Sequence, residues 1–277
     1  MNTTADSIER VEHDLSHAPR SLRPSYLAIW LEESRCEVRK AIRMPAYSLP
    51  TLAFPVMFYL LFGVAFGTGR SFGDVSMATY LLATYSAFGV MGVALFGFGV
   101  SVAVERGQGW MLVKRASPMP IWAYFGAKMW LAFLFSLATV GLLTGLALGF
   151  ADVALEPLQL LALAGTVIAG ALPFCALGLL ISQLAGPNSA AAVVNLIYLP
   201  MGFLSGMWIP IEALPGALQK VAVCLPSYHY AQLALLTLGA GGEQPVALHA
   251  GVLVAMTLCA LAGAAFLYRR DEGRTWG

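Results

Sequence analysis

A serine and a histidine at the ends of apolar stretches come closest to a catalytic pair. Ser205 lies in the string GFLSG and His249 in the string LHAG. A serine hydroxyl becomes a nucleophile when a neighbouring base accepts its proton, and in an intramembrane serine protease the serine and histidine meet below the membrane surface. The glycine expected two positions before such a serine is replaced here by Phe203. We therefore interpret Ser205 as a close-packing residue at a helix end.

Other residue types that support catalysis or cofactor binding are not arranged for it. The string GxxxxGK[ST], which cradles nucleotide phosphates, does not occur in the sequence. No two cysteines form a CxxC pair, so neither a disulfide framework nor a zinc site is predicted. The cysteines are expected to be small packing residues: Cys36, Cys175, Cys224 and Cys259. We expect no catalytic residue, metal or cofactor in this chain.

Two polar side chains inside apolar stretches, Lys128 and Asn195, require an interpretation. Ionisable residues deep in a membrane are costly and usually functional. Lys128 lies about seven residues into its stretch, so its long stem is expected to carry the ammonium group to the membrane surface. Asn195 is expected to form a hydrogen bond between helices, with a contact to a transported molecule as the alternative.

The composition determines the class of protein in which these residues act. The chain has 277 residues, of which 58% are hydrophobic and 11% charged, with a net charge of +1. Its mean hydropathy of +0.73 excludes a soluble globular enzyme, because a folded soluble protein must present a polar surface. The low net charge excludes nucleic-acid binding by bulk positive charge, and the hydrophobicity excludes disorder. A polytopic membrane protein remains.

Six apolar stretches are long enough to cross a bilayer, which needs about 20 residues per helix. They lie at about 47–67, 77–103, 121–149, 158–183, 189–209 and 246–268. Prolines interrupt four of them, and helix-breaking residues at depth require neighbouring helices to satisfy the freed carbonyls. We therefore predict an all-α fold in which residues 44–270 form a packed six-helix transmembrane domain.

The basic residues predict the orientation of these spans. Fourteen of the sixteen lysines and arginines lie in segments on one side, and Arg70 and Lys220 lie on the other. Lysine and arginine are enriched in cytoplasmic loops. The N-terminal arm (residues 1–24) and the C-terminal tail (residues 271–277) are therefore both predicted to be cytoplasmic.

A separate helix is predicted over residues 25–43. Apolar and small residues follow helical spacing on one face: Leu27, Trp30, Leu31, Ser34, Val38, Ala41 and Ile42. Charged residues, including Glu37, occupy the other face. Such an amphipathic helix beside a span is expected to lie along the membrane surface. The alternative is a solvated linker helix held by ion pairs such as Glu37 with Lys40.

The loop between the second and third spans reads ERGQGWMLVKRASPMP, from Glu105 to Pro120. A helix of one or two turns is expected here, with Trp110, Leu112 and Val113 as its apolar groups. Aromatic residues often anchor protein interfaces, so the loop could dock a partner protein. An ordinary charged loop explains the composition equally well.

The segment after the fifth span, Leu204 to Tyr230, is too apolar for a free loop and too interrupted for a span. Prolines divide it at Pro210, Pro215 and Pro226. We predict two short helices that re-enter the outer leaflet. Glu212 and Lys220 are expected at the water boundary. The residues expected to point inward are Leu214, Leu218 and Val221.

Together these motifs resemble the membrane subunits of type-2 ABC exporters, which include the permeases of daunorubicin, nodulation lipo-oligosaccharide and polysaccharide exporters. Three features carry the resemblance, which covers the chain from about residue 25. They are the surface helix leading into PTLAFPVMFYLLFGVAFG, the loop that ends in Ser-Pro and is followed by Lys128, and SGMWIPIEALPGALQ with LPSYHYAQLA.

The resemblance implies a permease subunit that exports an amphipathic, lipid-linked or glycan cargo across the inner membrane. Two such chains, identical or different, would form the transmembrane domain, served by two separate ATP-binding subunits that carry ATP and Mg. A membrane scaffold or assembly factor, or a self-sufficient secondary carrier, is the competing class. ATPase stimulation after reconstitution with an ATP-binding subunit would separate these classes.

The resemblance also implies roles for particular residues. Those expected to couple to the ATP-binding subunit are Glu105, Arg106, Gly109, Trp110, Lys114 and Arg115. Those expected to close the exit are Pro210, Glu212, Pro215, Leu218 and Pro226. The cargo cleft would be lined by spans one, two and five, where the candidates are Phe54, Phe58, Phe88, Asn195, Tyr198 and Phe203.

Overall fold

The computed structural model describes residues 25–72, 75–117 and 119–272, without the side chains of residues 45–48, 72, 112, 115, 271 and 272. Within these ranges the fold is all-α apart from one short hairpin. Its strands, β1 (Ser71–Phe72) and β2 (Val75–Ser76), are antiparallel, with Ser71 opposite Ser76.

The helices follow the predicted stretches closely. In chain order they are α1 (Tyr26–Arg43), α2 (Pro45–Phe58), α3 (Met77–Leu95), α4 (Ser101–Gly107), α5 (Trp110–Ala116), α6 (Ile121–Phe150), α7 (Pro157–Ala169), α8 (Leu172–Leu184), α9 (Ala190–Leu204), α10 (Gly216–Ala222), α11 (Pro226–Leu236) and α12 (Val246–Glu272). Two π-helical segments, Tyr59–Ala65 and Phe96–Val100, continue α2 and join α3 to α4. A single 3₁₀ turn, Ile211–Ala213, precedes α10.

Four helical stretches among the described residues are long and apolar enough to cross a membrane. They are Met77–Gly107, Ile121–Phe150, Pro157–Leu184 and Val246–Arg270. At about 1.5 Å per residue, each exceeds the bilayer core of about 30 Å. They coincide with the second, third, fourth and sixth predicted spans, and they fit a multi-pass membrane protein.

The first and fifth predicted spans are shorter apolar helices, Leu49–Ala65 and Ala190–Leu204. Prolines lie inside both, at positions 50 and 55 in the first and at position 200 in the fifth. A proline inside a helix removes one backbone donor and clashes with the preceding turn. The first helix continues past its prolines as the π-helix Tyr59–Ala65, a form that often accommodates such local irregularity.

Helix α3 forms the centre of the bundle. All its residues from Ala78 to Leu95 are buried, and it packs against α2, α6, α8 and α11. A helix that is apolar all round is expected to be enclosed by its neighbours. The π-helix that follows α3 also packs closely against α8, because a Cβ atom on Gly178 of α8 would lie 2.9 Å from the backbone nitrogen of Gly99.

Helix α1 confirms the helix predicted over residues 25–43, and it begins where the Ser25 hydroxyl accepts a hydrogen bond from the Ala28 amide at 3.2 Å. It packs on α6, with the rings of Trp30 and Trp130 6.1 Å apart. Glu37, placed by the sequence on the charged face, is buried instead, while its predicted pair with Lys40 is formed at 2.8 Å. Lysines from the same helix and from α6 meet its carboxylate, which makes that burial tolerable.

The remaining apolar residues of α1 lie beside its buried face. Ser34, Glu37 and Ala41 are buried against the bundle. Leu27, Leu31 and Ile42 are exposed on the adjacent side of the helix. That arrangement fits the predicted position along a membrane surface, where an apolar stripe contacts lipid.

Candidate functional site

The loop between the second and third spans contains the short helix that the sequence predicts. Helix α4 ends at Gly107, where the Gln108 amide donates to the Val104 carbonyl at 3.0 Å. Gly109 then adopts a φ of +77°, a backbone conformation that glycine reaches without steric cost. This turn redirects the chain into α5, hereafter the loop helix (Trp110–Ala116).

The outer surface of the loop helix is apolar. Trp110 is 51% exposed and Val113 is 59% exposed. An exposed tryptophan beside an exposed valine offers apolar area to a partner protein, and tryptophan is among the residue types enriched at interface hot spots. The side chain of Arg115, also predicted for this surface, lies outside the described atoms.

Glu105 points into the protein behind the loop helix. It is 8% exposed, and its Oε2 atom accepts a hydrogen bond from the Tyr124 hydroxyl at 2.6 Å. Its Oε1 atom accepts from Lys128 Nζ at 3.0 Å and from Lys40 Nζ. Glu105 thereby joins α4 to α1 and α6, and it does not reach the outer surface of the loop.

The ammonium group of Lys128 is buried within the protein, and its predicted reach to the membrane surface stays a prediction. The residue is 3% exposed, and Nζ donates to Glu37 Oε2 at 3.2 Å, to Ser101 Oγ at 2.8 Å and to Glu105 Oε1 at 3.0 Å. Two carboxylates and a hydroxyl replace the water that the ammonium would otherwise need. Glu37 and Glu105 are 91 and 23 residues away in sequence, so local spacing gave no signal for them.

Two further lysines complete a charged cluster. Lys40 Nζ donates to Glu37 Oε1 at 2.8 Å. Burial disfavours the charged form of Lys40, but attraction to Glu105 and Glu37 outweighs it and raises the pKa of Lys40 above its usual value. Lys114 Nζ donates to Glu33 Oε1 at 2.6 Å and lies 3.9 Å from the centroid of the Tyr124 ring.

We call this set the charged cluster: Glu33, Glu37, Lys40, Glu105, Lys114, Tyr124 and Lys128. It contains three carboxylates and three ammonium groups, so it is electrically neutral. Its members come from α1, α4, the loop helix and α6. Ion pairs thus link α1 to the loop helix, to α4 and to α6.

Arg106 fixes the start of the loop to a fourth helix. Its guanidinium donates to the carbonyls of Gln183 and Ala185 at 3.3 and 3.2 Å. These carbonyls lie at the C-terminal end of α8, where helix carbonyls lack partners within the helix and attract cations. Of the residues predicted to couple, Glu105, Arg106 and Lys114 thus hold the loop from behind, and Trp110 remains 51% exposed.

The protease pair is not formed at the opposite end of the bundle. The Ser205 hydroxyl donates to the Met201 carbonyl at 2.5 Å, as a packing serine does. His249 instead faces His229, with the two Nδ1 atoms 2.8 Å apart. His229 Nε2 also lies 3.0 Å from the Val223 carbonyl oxygen. Neither histidine has a nucleophile among the contacts described for it.

The segment after the fifth span is built from short helices, each begun by a proline. Pro210 and Pro215 precede the 3₁₀ turn and α10, and Pro226 is the first residue of α11. This matches the preference for proline near helix starts. The predicted division of the segment into short helices is confirmed, and its depth in a membrane stays a prediction.

Burial within this segment agrees with the sequence at most positions. Glu212 and Lys220 are exposed, Leu214 is buried and Leu218 is half-buried. Val221, expected to point inward, is 48% exposed in the single chain. Ala222 is buried in its place, because it shares the face of α10 that carries Leu218 four residues earlier.

Two of the residues predicted to line a cargo path belong to an aromatic ladder on the first span. Ring centroids four residues apart are separated by 6.4, 6.2 and 6.4 Å along Phe54, Phe58, Phe62 and Phe66. Phe54, Phe62 and Phe66 are exposed. Phe62 and Phe66 were missed by the prediction, although the repeat of phenylalanine every fourth residue is readable in the sequence.

The other predicted path residues have mixed positions. Phe88 and Tyr198 are buried in the chain and stack with centroids 4.4 Å apart. Phe203 is exposed and packs edge-on against Trp208. Asn195 is exposed, and its amide donates to the Ala191 carbonyl one turn earlier at 3.0 Å. The predicted hydrogen bond between helices was therefore wrong for Asn195, because its own helix supplies the acceptor.

Comparison with known proteins agrees with this arrangement. The family model described as "ABC-2 type transporter" matches residues 34–238. The chain is 31% identical over 260 residues to "Nodulation protein J" of Rhizobium leguminosarum bv. viciae, covering 89% of this chain and 95% of that protein. It is 30% identical over 199 residues to "Putative transport permease YvfS" of Bacillus subtilis (strain 168), covering 72% and 81%. The matched region contains the charged cluster except Glu33, together with the loop helix and the proline-divided segment. The chain therefore belongs to the ABC-2 type transporter family as a permease.

Proposed function

We propose that this chain is the permease subunit of an ATP-binding-cassette exporter. It moves an amphipathic, lipid-linked or glycan cargo out of the cytoplasm through the interface with a second permease copy. Two separate cassette subunits, carrying ATP and Mg, supply the energy. Members of this family normally work with an ATP-binding subunit, and the chain itself contains no phosphate-binding loop.

The construction of the loop helix carries this proposal. A protein that receives force needs a surface that a partner can grip and a rigid connection from that surface to the moving parts. The exposed Trp110 and Val113 supply the surface. The buried ion pair of Glu105 with Lys128 and the part-buried pair of Lys114 with Glu33 supply the connection.

The proposed topology has six spans in the inner membrane, with both termini in the cytoplasm. The one-sided distribution of lysine and arginine supports it. The first span gains length from the π-helix, because Pro45–Phe58 and Tyr59–Ala65 together give about 30 Å at about 1.5 Å per residue. The fifth span is shorter, and its chain continues apolar toward residue 209.

The proposed cargo path follows the aromatic ladder of the first span. Its exposed rings are Phe54, Phe62 and Phe66. The ring centroid of Phe58 lies 5.2 Å from that of Trp208, so Phe58 joins the ladder to Trp208. Flat apolar faces accept both lipid chains and the apolar faces of sugars, and they attract ions weakly. Phe203, Asn195 and the proline-divided segment lie on the fifth span and beyond it, where this proposal puts the exit and its closure.

The test of the proposal is the substitution Trp110→Ala. Losing an interface anchor costs about 2 kcal/mol or more, so binding of the cassette subunit should weaken more than about tenfold. ATP-driven export should fall with it, while membrane insertion stays normal because Trp110 lies outside the spans. Binding is measured by co-purification, and export in proteoliposomes.

Trp122→Ala is the matched control, since Trp122 is equally exposed at 51% but lies at the start of α6. It should bind the cassette subunit and export as the parent does. If Trp110→Ala retains full binding and export, the loop helix is not the coupling element.

A further inference from the structure

A cavity of about 600 Å³ lies directly behind the loop helix, between α1 and the helices of the second and third spans. Ligand pockets commonly range from about 300 to 1,000 Å³, so this cavity is large enough for a sizeable molecule. It is separate from the proposed cargo path, because the aromatic ladder of the first span does not contribute to its described lining.

The lining of the cavity is divided by polarity. Members of the charged cluster, together with Gln108, line one end. Apolar residues from the spans line the other end: Val93, Val100, Leu131, Ala132 and Phe135. A cavity with one polar and one apolar end fits an amphiphile, with its headgroup among the charges and a hydrocarbon chain between the helices.

The partly exposed charges of the cluster select the kind of headgroup. Lys128, Glu37 and Glu105 are the deep members, with side chains 2%, 6% and 11% exposed. Lys40, Lys114 and Glu33 are more exposed, at 38%, 20% and 16%. Since both signs of charge are present among the accessible members, a headgroup carrying both signs is the complementary one.

We propose that this cavity is a binding site for a resident membrane phospholipid whose headgroup carries a phosphate and a primary ammonium group. The phosphate lies near Lys40 and Lys114, the ammonium group near Glu33, and one acyl chain enters the apolar end beside Leu131. Trp110 and Lys114 also line the cavity, so the lipid supports the loop helix from behind. This inference does not depend on the identity of the exported cargo.

The test uses the full-length chain in nanodiscs of either phosphatidylethanolamine or phosphatidylglycerol. After transfer to detergent, native mass spectrometry counts the lipids retained per chain. One phosphatidylethanolamine should be retained, and phosphatidylglycerol should be retained about tenfold less. Equal retention of the two lipids, or no retained lipid in the parent protein, would overturn the proposal.

Variants locate the bound lipid. Leu131→Trp fills the apolar end of the cavity and should abolish lipid retention. If Leu131→Trp does not fold, Val100→Phe, a smaller substitution in the same lining, should abolish retention instead. The matched control is Leu142→Trp, at an exposed position three turns further along the same helix. Glu33→Gln should keep a bound lipid but lose the preference for phosphatidylethanolamine. Retention that is unchanged in both cavity-filling variants would refute the site.

A final measurement separates a resident lipid from a molecule in transit. The retained lipid is counted again after the complex with its cassette subunit has hydrolysed ATP. Unchanged occupancy is expected for a resident lipid. ATP-dependent release would identify the molecule as cargo and overturn the resident role.

Discussion

The two ends of the bundle are held together by different kinds of interaction. At the loop end, ion pairs link α1, α4, the loop helix and α6. At the opposite end, neutral hydroxyl groups donate to backbone carbonyls: Tyr80 to Gly206 at 2.9 Å, Ser227 to Met201 at 3.1 Å and Tyr230 to Val167 at 2.6 Å.

The difference has a mechanical consequence. Attraction between charges falls gradually with distance, so an ion pair persists when its partners shift by an ångström. A hydrogen bond weakens steeply once its distance or angle leaves a narrow range. The loop end is therefore held by charge attraction in addition to hydrogen bonding, and the opposite end by hydrogen bonds between neutral groups.

The strongest test of the comparison is removal of the central charge, by Lys128→Met. Glu37 and Glu105 would remain buried with Lys40 as their shared partner, and breaking a buried ion pair typically costs about 3–5 kcal/mol. We expect a large drop in the thermal unfolding temperature in detergent. Lys220→Met, at an exposed lysine, is the control and should have little effect. Equal unfolding temperatures for the two variants would contradict the importance assigned to the charged cluster.

A smaller effect is expected at the opposite end from Tyr230→Phe. The substitution removes the hydroxyl that donates to the Val167 carbonyl and leaves that carbonyl without this donor, at a cost of about 1–3 kcal/mol. The same unfolding assay measures it. Tyr26→Phe serves as control, because Tyr26 is exposed on α1. A drop in unfolding temperature as large as that of Lys128→Met would contradict the contrast between the two ends of the bundle.

Cysteine accessibility sharpens the description of the proline-divided segment. With a membrane-impermeant maleimide applied from outside, Glu212→Cys and Lys220→Cys should react readily, and Leu214→Cys should not because the chain buries it. Val221→Cys is the informative variant. It is exposed in the single chain, so low reactivity there indicates cover by lipid or by the second copy, as the re-entrant arrangement requires. Rapid labelling at all four positions would indicate a solvated loop.

The smallest effect concerns pH. The pKa of Lys40 is raised in the folded protein, so its contribution to stability is complete below the unfolded pKa of about 10.4 and is lost as the pH rises through the folded value. Unfolding temperatures measured from pH 9 to pH 12 should therefore fall more steeply for the parent than for Lys40→Gln. Arg39→Gln, one residue earlier on α1, is the control and should keep the slope of the parent. Parallel slopes for the parent and Lys40→Gln would contradict the assigned pairing.

Elements set by local sequence were predictable. Hydropathy located the stretches that became helices α2, α3, α6, α9 and α12, because transfer of each segment into lipid depends on its own composition. The loop helix followed from Gly109 and the apolar residues after it, and the starts of α10 and α11 followed from Pro215 and Pro226. These features depend on residues a few positions apart.

The partners of the polar side chains could not be derived in the same way. Lys128 and Asn195 look alike in sequence, as single polar residues in apolar stretches. One is buried between Glu37 and Glu105, and the other bonds to its own helix and faces outward. Which of these occurs depends on how helices distant in the chain are rotated against each other.

The sequence by itself thus determined that the chain crosses a membrane, where its helices lie and which family it resembles, since hydropathy, helix punctuation and motif spacing are properties of short segments. Only the tertiary structure decided that Glu105 is buried and Lys114 pairs with Glu33 while Trp110 stays half-exposed, and that a cavity lies behind the loop helix. The physical reason is that burial and charge pairing depend on contacts such as Lys40 with Glu105, across 65 residues of chain, which form only when the helices have packed.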